Sequence, residues 1–229
     1  MKTLLDRWRA GLTVADRPDE YEVKHLLAGF GLHVPPGMRL PPGNIEARPD
    51  FPGPYVAKVC SPYIEHKTDL QGVHLNLNGQ RLSAALRILK NAFPEASILI
   101  EAMVTFDGPE MIAGGVMDPG FGPAVMVGAG GILTEIAPDV AFRLAPLAEP
   151  EARRMLLELA IYPVFEGFRG LKLDPAALAQ LMVVVSQLVD ALGSRFDQLD
   201  LNPIVWGPAG WTILDAKLML RRALSPPCD

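Results

Sequence analysis

The sequence predicts an α+β fold built as two lobes, and three observations predict it. Apolar runs of strand length are mixed with segments of helical periodicity, without the strict βαβ alternation that a parallel sheet demands. A glycine-rich stretch, Gly114 to Glu135, interrupts mid-chain with seven glycines in twenty-two residues. The last structured stretch is a pair of strand-like runs around Gly207–Gly210. With 229 residues the chain is long enough for two small lobes that each bury a core. In chain order the expected division is an arm over 1–17, a first lobe over 18–100, a second over 101–224 and a tail over 225–229.

Residues 1–15 read as a loosely held arm. Asp16 to Glu20 reads as a helix start with acids in its first turn, and Tyr21, Val23, Leu26, Leu27 and Phe30 supply its apolar face, with Gly31 as the stop. Residues 34–54 carry seven prolines and three glycines, which predicts an irregular connection because proline disrupts helix interiors and central strands. Strands are expected over 55–59 and 73–77, with the polar loop 61–69 between them. A helix follows, with Leu82, Ala85, Leu86 and Leu89 on one face and Pro94 near its end. Two further strands, 98–104 and 110–117, are joined around Asp107-Gly108. Beyond the glycine-rich stretch come a short strand over 140–144, a helix over 149–160 and a helix from Asp174-Pro175, a strong N-cap and N1 pair, to Leu192. Strands over 199–206 and 211–218 close the pattern.

A net charge of −5 and the lack of any basic cluster argue against nucleic acid and anionic membrane as partners. Neither Cys60 nor Cys228 has metal-ligand spacing, which suggests a reducing compartment. No run of eighteen apolar residues occurs and the N-terminus has no signal-peptide core, so a cytoplasmic location is expected.

The glycine-rich stretch allows main chain to approach a neighbour closely. Phosphate is the sharper reading and a glycine-rich connection between core strands the plainer one, since no phosphate-loop fingerprint is present. The closing hairpin permits a geometric derivation. If Gly207–Gly210 forms a two- or four-residue loop, Asn202 lies opposite Asp215, Asp200 opposite Lys217 and Trp206 opposite Trp211, all on one face. A three-residue loop would shift this register. An amide oxygen and a carboxylate meeting on one face suit a hard cation such as Mg²⁺; the plainer alternative is a polar surface pair.

Four stretches in order make the chain resemble the ATP-grasp β subunit of the nucleoside-diphosphate-forming acyl-CoA synthetases, relatives of succinyl-CoA synthetase. They are AKVCSPYIEHKTDLQGVHLNL at 57–77, PEMIAGGVMDPGFGPAVMVGAGGILTEIAPDVAFRLAPL at 109–147, LDLNPIVW at 199–206 and ILDAK at 213–217. The resemblance implies an ATP-grasp fold with the nucleotide between two α/β lobes. It implies Lys58 as the lysine that reaches nucleotide phosphates, and His66 as the phosphoryl-relay histidine, a role imidazole suits because one ring nitrogen can take a phosphoryl group. Glu101, Ala102 and Met103 match the adenine-side hinge, and Glu110 an acid near the nucleotide. Gly130, Gly131 and Glu135 match the glycine-rich segment, and Asn202 and Asp215 the magnesium ligands. His25, His33 and His74 have no such context and read as structural. Where the family carries a GYPVVLK-like strand before the lysine, this chain has ARPDFPGPYVAK, so a shortened first lobe is expected.

The function so implied is half an enzyme: ATP/ADP and Mg²⁺ bound here, with CoA and acyl chemistry on a CoA-binding α-subunit partner in a hetero-oligomer. Three rivals stay open at this point. One is a non-catalytic ATP-sensing module, which would not need His66; a second is a free-standing carboxylate–amine ligase of the same fold; the third is a protein-interaction or structural domain that takes no nucleotide.

Overall fold

Two antiparallel sheets divide the molecule, seen in a computed structural model that describes residues 2–221 apart from 13, 15, 65–66 and 132–137. The smaller sheet has the order β1-β4-β2-β3, from β1 (Gly37–Leu40), β2 (Tyr55–Cys60), β3 (Val73–Leu77) and β4 (Ser97–Ala102). Helix α3 (Gly79–Ala92) covers it with the expected face, since Leu82, Ala85, Leu86 and Leu89 are buried against Ala57, Ile98 and Ile100. The four-residue β1 lies inside the proline-rich stretch that the sequence reads as irregular. Prolines flank it rather than enter it, and it takes an edge position, where proline neighbours interrupt no ladder.

The larger sheet runs β10-β8-β5-β6-β7, with β9 paired to β8. Its strands are β5 (Met111–Asp118), β6 (Gly122–Ala129), β7 (Val140–Leu144), β8 (Phe196–Gly207), β9 (Gly210–Ile213) and β10 (Ala216–Leu220). Two helices, α4 (Glu149–Leu157) and α5 (Pro175–Leu192), belong to its core. The Asp174 carboxylate caps α5, accepting from the N–H groups of Ala176 and Ala177 at 2.9 and 3.0 Å. Helix α5 has the length and mean hydropathy, 1.6, of a membrane span. Leu178, Met182, Val185 and Val189 are nevertheless fully buried among Met111, Val125 and Val127. Each such side chain contributes about 1.5–3 kcal/mol by leaving water, so the helix is a core element.

The core does not follow chain order. Residues 2–10, read from sequence as part of a loose arm, form helix α1 (Lys2–Ala10), and Leu5 is buried. With Val23, Leu26 and Leu27 of helix α2 (Glu20–Gly29), it joins the core of the larger sheet, although both helices precede the smaller sheet in sequence. Helix α2 starts with a reciprocal capping box: the Asp19 carboxylate accepts from Glu22 N–H, and Glu22 accepts from Asp19 N–H, each at 2.9 Å.

The hairpin register is the one derived from the two-residue loop: Trp206 faces Trp211, Ile204 faces Ile213 and Asp200 faces Lys217. The second strand is not continuous, however. It breaks at Leu214–Asp215 between β9 and β10, and this break shapes the site below. The glycines of the central strands serve packing: a Cβ on Gly114 would collide with the Leu199 carbonyl oxygen of the neighbouring strand. The plainer reading of that part of the stretch therefore holds.

Candidate functional site

Three lysines and three acids from five parts of the chain meet where α2, the smaller sheet and the β9–β10 break come together. Glu20 and Lys24 stand four residues apart on α2, so one helix turn brings them side by side, Lys24 Nζ lying 2.8 Å from Glu20 Oε1. Lys58 on β2 and Glu101 on β4 face inward from the smaller sheet, and Lys58 Nζ lies 2.8 Å from Glu101 Oε2. The strand break presents the Leu214 carbonyl, which accepts from Lys24 Nζ at 2.7 Å and Lys58 Nζ at 2.6 Å. Lys58 also donates to Glu20 Oε1 at 2.9 Å, and Lys24 to Glu101 Oε1 at 2.5 Å. Each of these two ammonium groups thus has three acceptors for three protons. Lys67 completes the cluster, 2.5 Å from Glu20 Oε2 and 2.9 Å from each carboxylate oxygen of Asp215.

Charge balance makes this burial tolerable. Three ammonium groups face three carboxylates, and removing any one member would leave a buried charge uncompensated. Burial pushes the Glu20 carboxyl up, but Lys24, Lys58 and Lys67 outweigh it and hold the group well below the ordinary carboxylate range. For Lys58, burial favours the neutral amine, yet Glu101, Glu20 and Asp215 prevail and hold it well above the ordinary lysine range. Lys67 is raised by Glu20 and Asp215 against the same effect of burial. Glu20, Lys58 and Lys67 are thereby each biased towards the charged form.

Beside the cluster opens a cavity of about 660 Å³, whose wall includes Glu20, Lys67, Asp200, Asn202 and Asp215. Ile64 and Lys67, on either side of positions 65–66, also line it. Among the described residues, six carboxylate side chains and three cationic ones contribute to the lining, so this part of the wall is acid-rich. Burial and the neighbouring Asp215 charge push the Asp200 carboxyl up, partly offset by Lys217. Asn202 and Asp215 sit opposite each other as derived, with Asn202 N–H donating to the Asp215 carbonyl at 3.2 Å. Two carboxylates in mutual repulsion beside an amide oxygen form an all-oxygen donor set, and this chemistry fits a hard divalent cation. Among the described residues no group of three or more His, Cys, Asp or Glu could hold a metal, so the protein side offers a partial shell of the kind Mg²⁺ completes with phosphate and water.

The other residues singled out in the sequence fall as follows. Lys58 lies one bond deeper than the cavity wall, linked to it through Glu20. The Glu101 side chain is buried in the lysine cluster. At the end of β4, the N–H groups of Ala102 and Met103 are committed to the carbonyls of Pro36 and Pro54 at 2.9 and 2.8 Å, which leaves neither donor for an adenine. Glu110, Gly130 and Gly131 come together: Gly130 N–H donates to the Glu110 carbonyl at 2.7 Å, and Gly131 takes φ of 67° beside the Glu110 carboxylate. None of the three is among the cavity-lining residues. His66 and Glu135 lie outside the described residues. The His33 backbone carbonyl accepts from Ile213 N–H, and the His25 ring stacks edge-on against Tyr21.

Sequence reasoning missed Glu20, Lys24 and Lys67. A signal for the first two was present: Glu20, Val23, Lys24 and Leu27 follow the i, i+3, i+4, i+7 spacing of a buried face, so two charges stood on a face that needed partners.

Comparison with known proteins adds independent findings. A family model described as an ATP-grasp domain matches residues 14–220. The chain is 36% identical over 214 residues to the acetate–CoA ligase [ADP-forming] I subunit beta of Pyrococcus furiosus, covering 88% of this chain and 90% of that one. It is 34% identical to the 4-hydroxybutyrate–CoA ligase [ADP-forming] of Nitrosopumilus maritimus, where the match spans 88% of this chain but 30% of that longer protein. Among solved structures, the dinucleotide-forming acetyl-coenzyme A synthetase 1 of Candidatus Korarchaeum cryptofilum, in complex with coenzyme A, Ca-AMPCP and HgCl⁺, superposes with a TM-score of 0.82. It is 30% identical, covering 96% of this chain and 98% of that one. A second structure of that enzyme, with Mg-AMPPCP and a phosphohistidine segment pointing towards the nucleotide-binding site, has a TM-score of 0.79 at 29% identity, over 96% and 99% of the two chains.

Proposed function

The chain belongs to the ATP-grasp domain family, alongside the β subunits of ADP-forming acetate–CoA ligases, and on that premise we propose that it is the nucleotide-binding β subunit of an ADP-forming acyl-CoA synthetase. It moves a phosphoryl group between phosphohistidine and ADP, and it needs a CoA-binding α-subunit partner for acyl chemistry. The observation that carries this reading is the acid-rich cavity where Lys67, Asn202 and Asp215 converge, with Lys58 one bond behind.

In the transfer, the P–N bond of phosphorylated His66 breaks and its electron pair returns to the imidazole, while a terminal oxygen of ADP forms the new P–O bond. Ile64 and Lys67 line the cavity, which supports His66 as the carrier. Asn202 and Asp215 would hold Mg²⁺, which when bound supplies charge neutralisation at the phosphate oxygens. The lysines contribute fixed positive charge and orientation, the main means of catalysis in phosphoryl transfer. Glu101, Ala102, Met103, Glu110, Gly130 and Gly131 remain assigned to the nucleotide, through side-chain or carbonyl atoms where their N–H groups are committed. The nucleotide lies between the lobe of the smaller sheet and the lobe of the larger one. A cytoplasmic setting accompanies this reading, supported by Cys60, a free buried thiol.

One experiment tests it. The purified chain with γ-labelled ATP and Mg²⁺ is expected to gain an acid-labile phosphate and a thermal shift. His66→Ala should lose the label and keep the shift, and acyl-CoA should form only when an α subunit is added. A shift without label in the wild-type chain would favour the ATP-sensing module, and acyl-CoA synthesis by the single chain would refute the half-enzyme reading.

A further inference from the structure

We propose that Lys67 is a built-in stand-in for the divalent cation: its ammonium occupies Asp215 while the metal is absent, and metal entry displaces it towards the phosphate-binding space. The inference rests on the reading that Asn202 and Asp215 hold the metal. Of the three clustered lysines, Lys67 alone lines the cavity, and its side chain is 17% exposed against 5% and 9% for Lys24 and Lys58. It alone contacts the Asp215 side chain, and it meets both carboxylate oxygens. Lys24 and Lys58 have every proton matched and share one backbone carbonyl, so neither can leave without exposing a buried acceptor.

Lys67 is held differently. One bond to Glu20 serves as a tether, and the others reach a carboxylate that is 32% exposed. A divalent ion at Asp215 would take over those contacts while Glu20 keeps the amine at the cavity wall. The cluster of three cations and three anions then changes from neutral to net +2 without any side chain changing its ionisation. Metal entry thereby turns a closed ion cluster into a receptor for polyphosphate. Lys67 acts in this scheme as a positioning residue.

The test uses the full chain without nucleotide and Mn²⁺ alone, followed by electron paramagnetic resonance. A competing ammonium lowers apparent affinity by the fraction of time that the site is open. If Asp215 is paired about nine-tenths of the time, Lys67→Met should bind Mn²⁺ about tenfold more tightly. Lys67→Arg, which keeps the competing charge, should bind no better than wild type, and Asp215→Asn should lose binding. In the wild-type chain, Mg²⁺ should raise the rate of reductive methylation at Lys67 and leave Lys24 and Lys58 unchanged, a readout that needs no variant to fold. Unchanged Mn²⁺ affinity in Lys67→Met with binding lost in Asp215→Asn would overturn the inference and spare the metal reading. Unchanged affinity in both would overturn the metal reading itself.

Discussion

The molecule carries two ion networks made from the same kinds of side chain in opposite surroundings. On α4 and β7, Arg143 pairs with Glu151 at 2.7 Å and with Glu158, while Arg153 meets Glu149 at 2.7 Å and Arg154 meets Glu151 at 2.9 Å. Arg153 and Glu149 are each about half exposed, at 52% and 49%. The Glu20 side chain, at the centre of the other network, is 4% exposed. In the exposed network, water and salt can replace any partner, so each pair contributes little. In the buried network Lys24, Lys58, Glu20 and Glu101 have no such replacement, so each fixes the geometry of the others, and only the Lys67–Asp215 end opens to the cavity. Distance alone does not separate the two networks; burial does.

The largest test of this contrast is Glu20→Gln. It leaves three buried ammonium groups facing two carboxylates and should cost about 3–5 kcal/mol of stability, read from urea unfolding with the slope unchanged. A loss below about 1 kcal/mol would put the two networks on the same footing. Acid comes next. Because the folded Glu20 carboxyl lies below its ordinary value of 4.5, its contribution is present above that value and lost as pH falls through the lower folded one. Unfolding free energy should hold steady from neutrality to about pH 5 and then fall, and Glu20→Gln should flatten that decline. The raised Lys58 acts at the other end: its contribution holds below the ordinary 10.5 and disappears only as pH rises through the higher folded value. The smallest effect is Arg153→Ala, expected to cost about 0.3–0.5 kcal/mol at low salt. That loss should vanish near 1 M salt, where the screening length is about 3 Å. A large, salt-independent loss there would erase the distinction.

Local chemistry made much of this structure legible. The register of β8 with β9 and β10 followed from side-chain alternation and a short loop between two glycines, and it paired Asp200 with Lys217 as derived. Helices α2, α3 and α5 announced themselves by caps and apolar spacing. The break at Leu214–Asp215 was hidden, because the apolar residues on both sides of it make WTILDAKL read as one strand. Strand β1 was concealed by its proline neighbours, since only the sheet order reveals that it sits at an edge. Helix α1 was underestimated because nine residues are marginal without a partner, and the partner came from the larger lobe. The glycines promised close approach without saying to what, and at Gly114 the neighbour proved to be the backbone of β8. The ion cluster was least legible: Lys24 and Glu101 are 77 residues apart, and Lys67 and Asp215 are 148 apart. No periodicity reports on such pairs.

The acid-rich lining of the cavity has a kinetic consequence. A bare nucleotide approaching a chain of net charge −5 meets like charge first from the whole surface and then from the walls of the opening. The same nucleotide carrying a magnesium ion has shed two units of that repulsion before contact. Diffusion itself therefore sorts the loaded form from the empty one, ahead of any fit between the ligand and its seat.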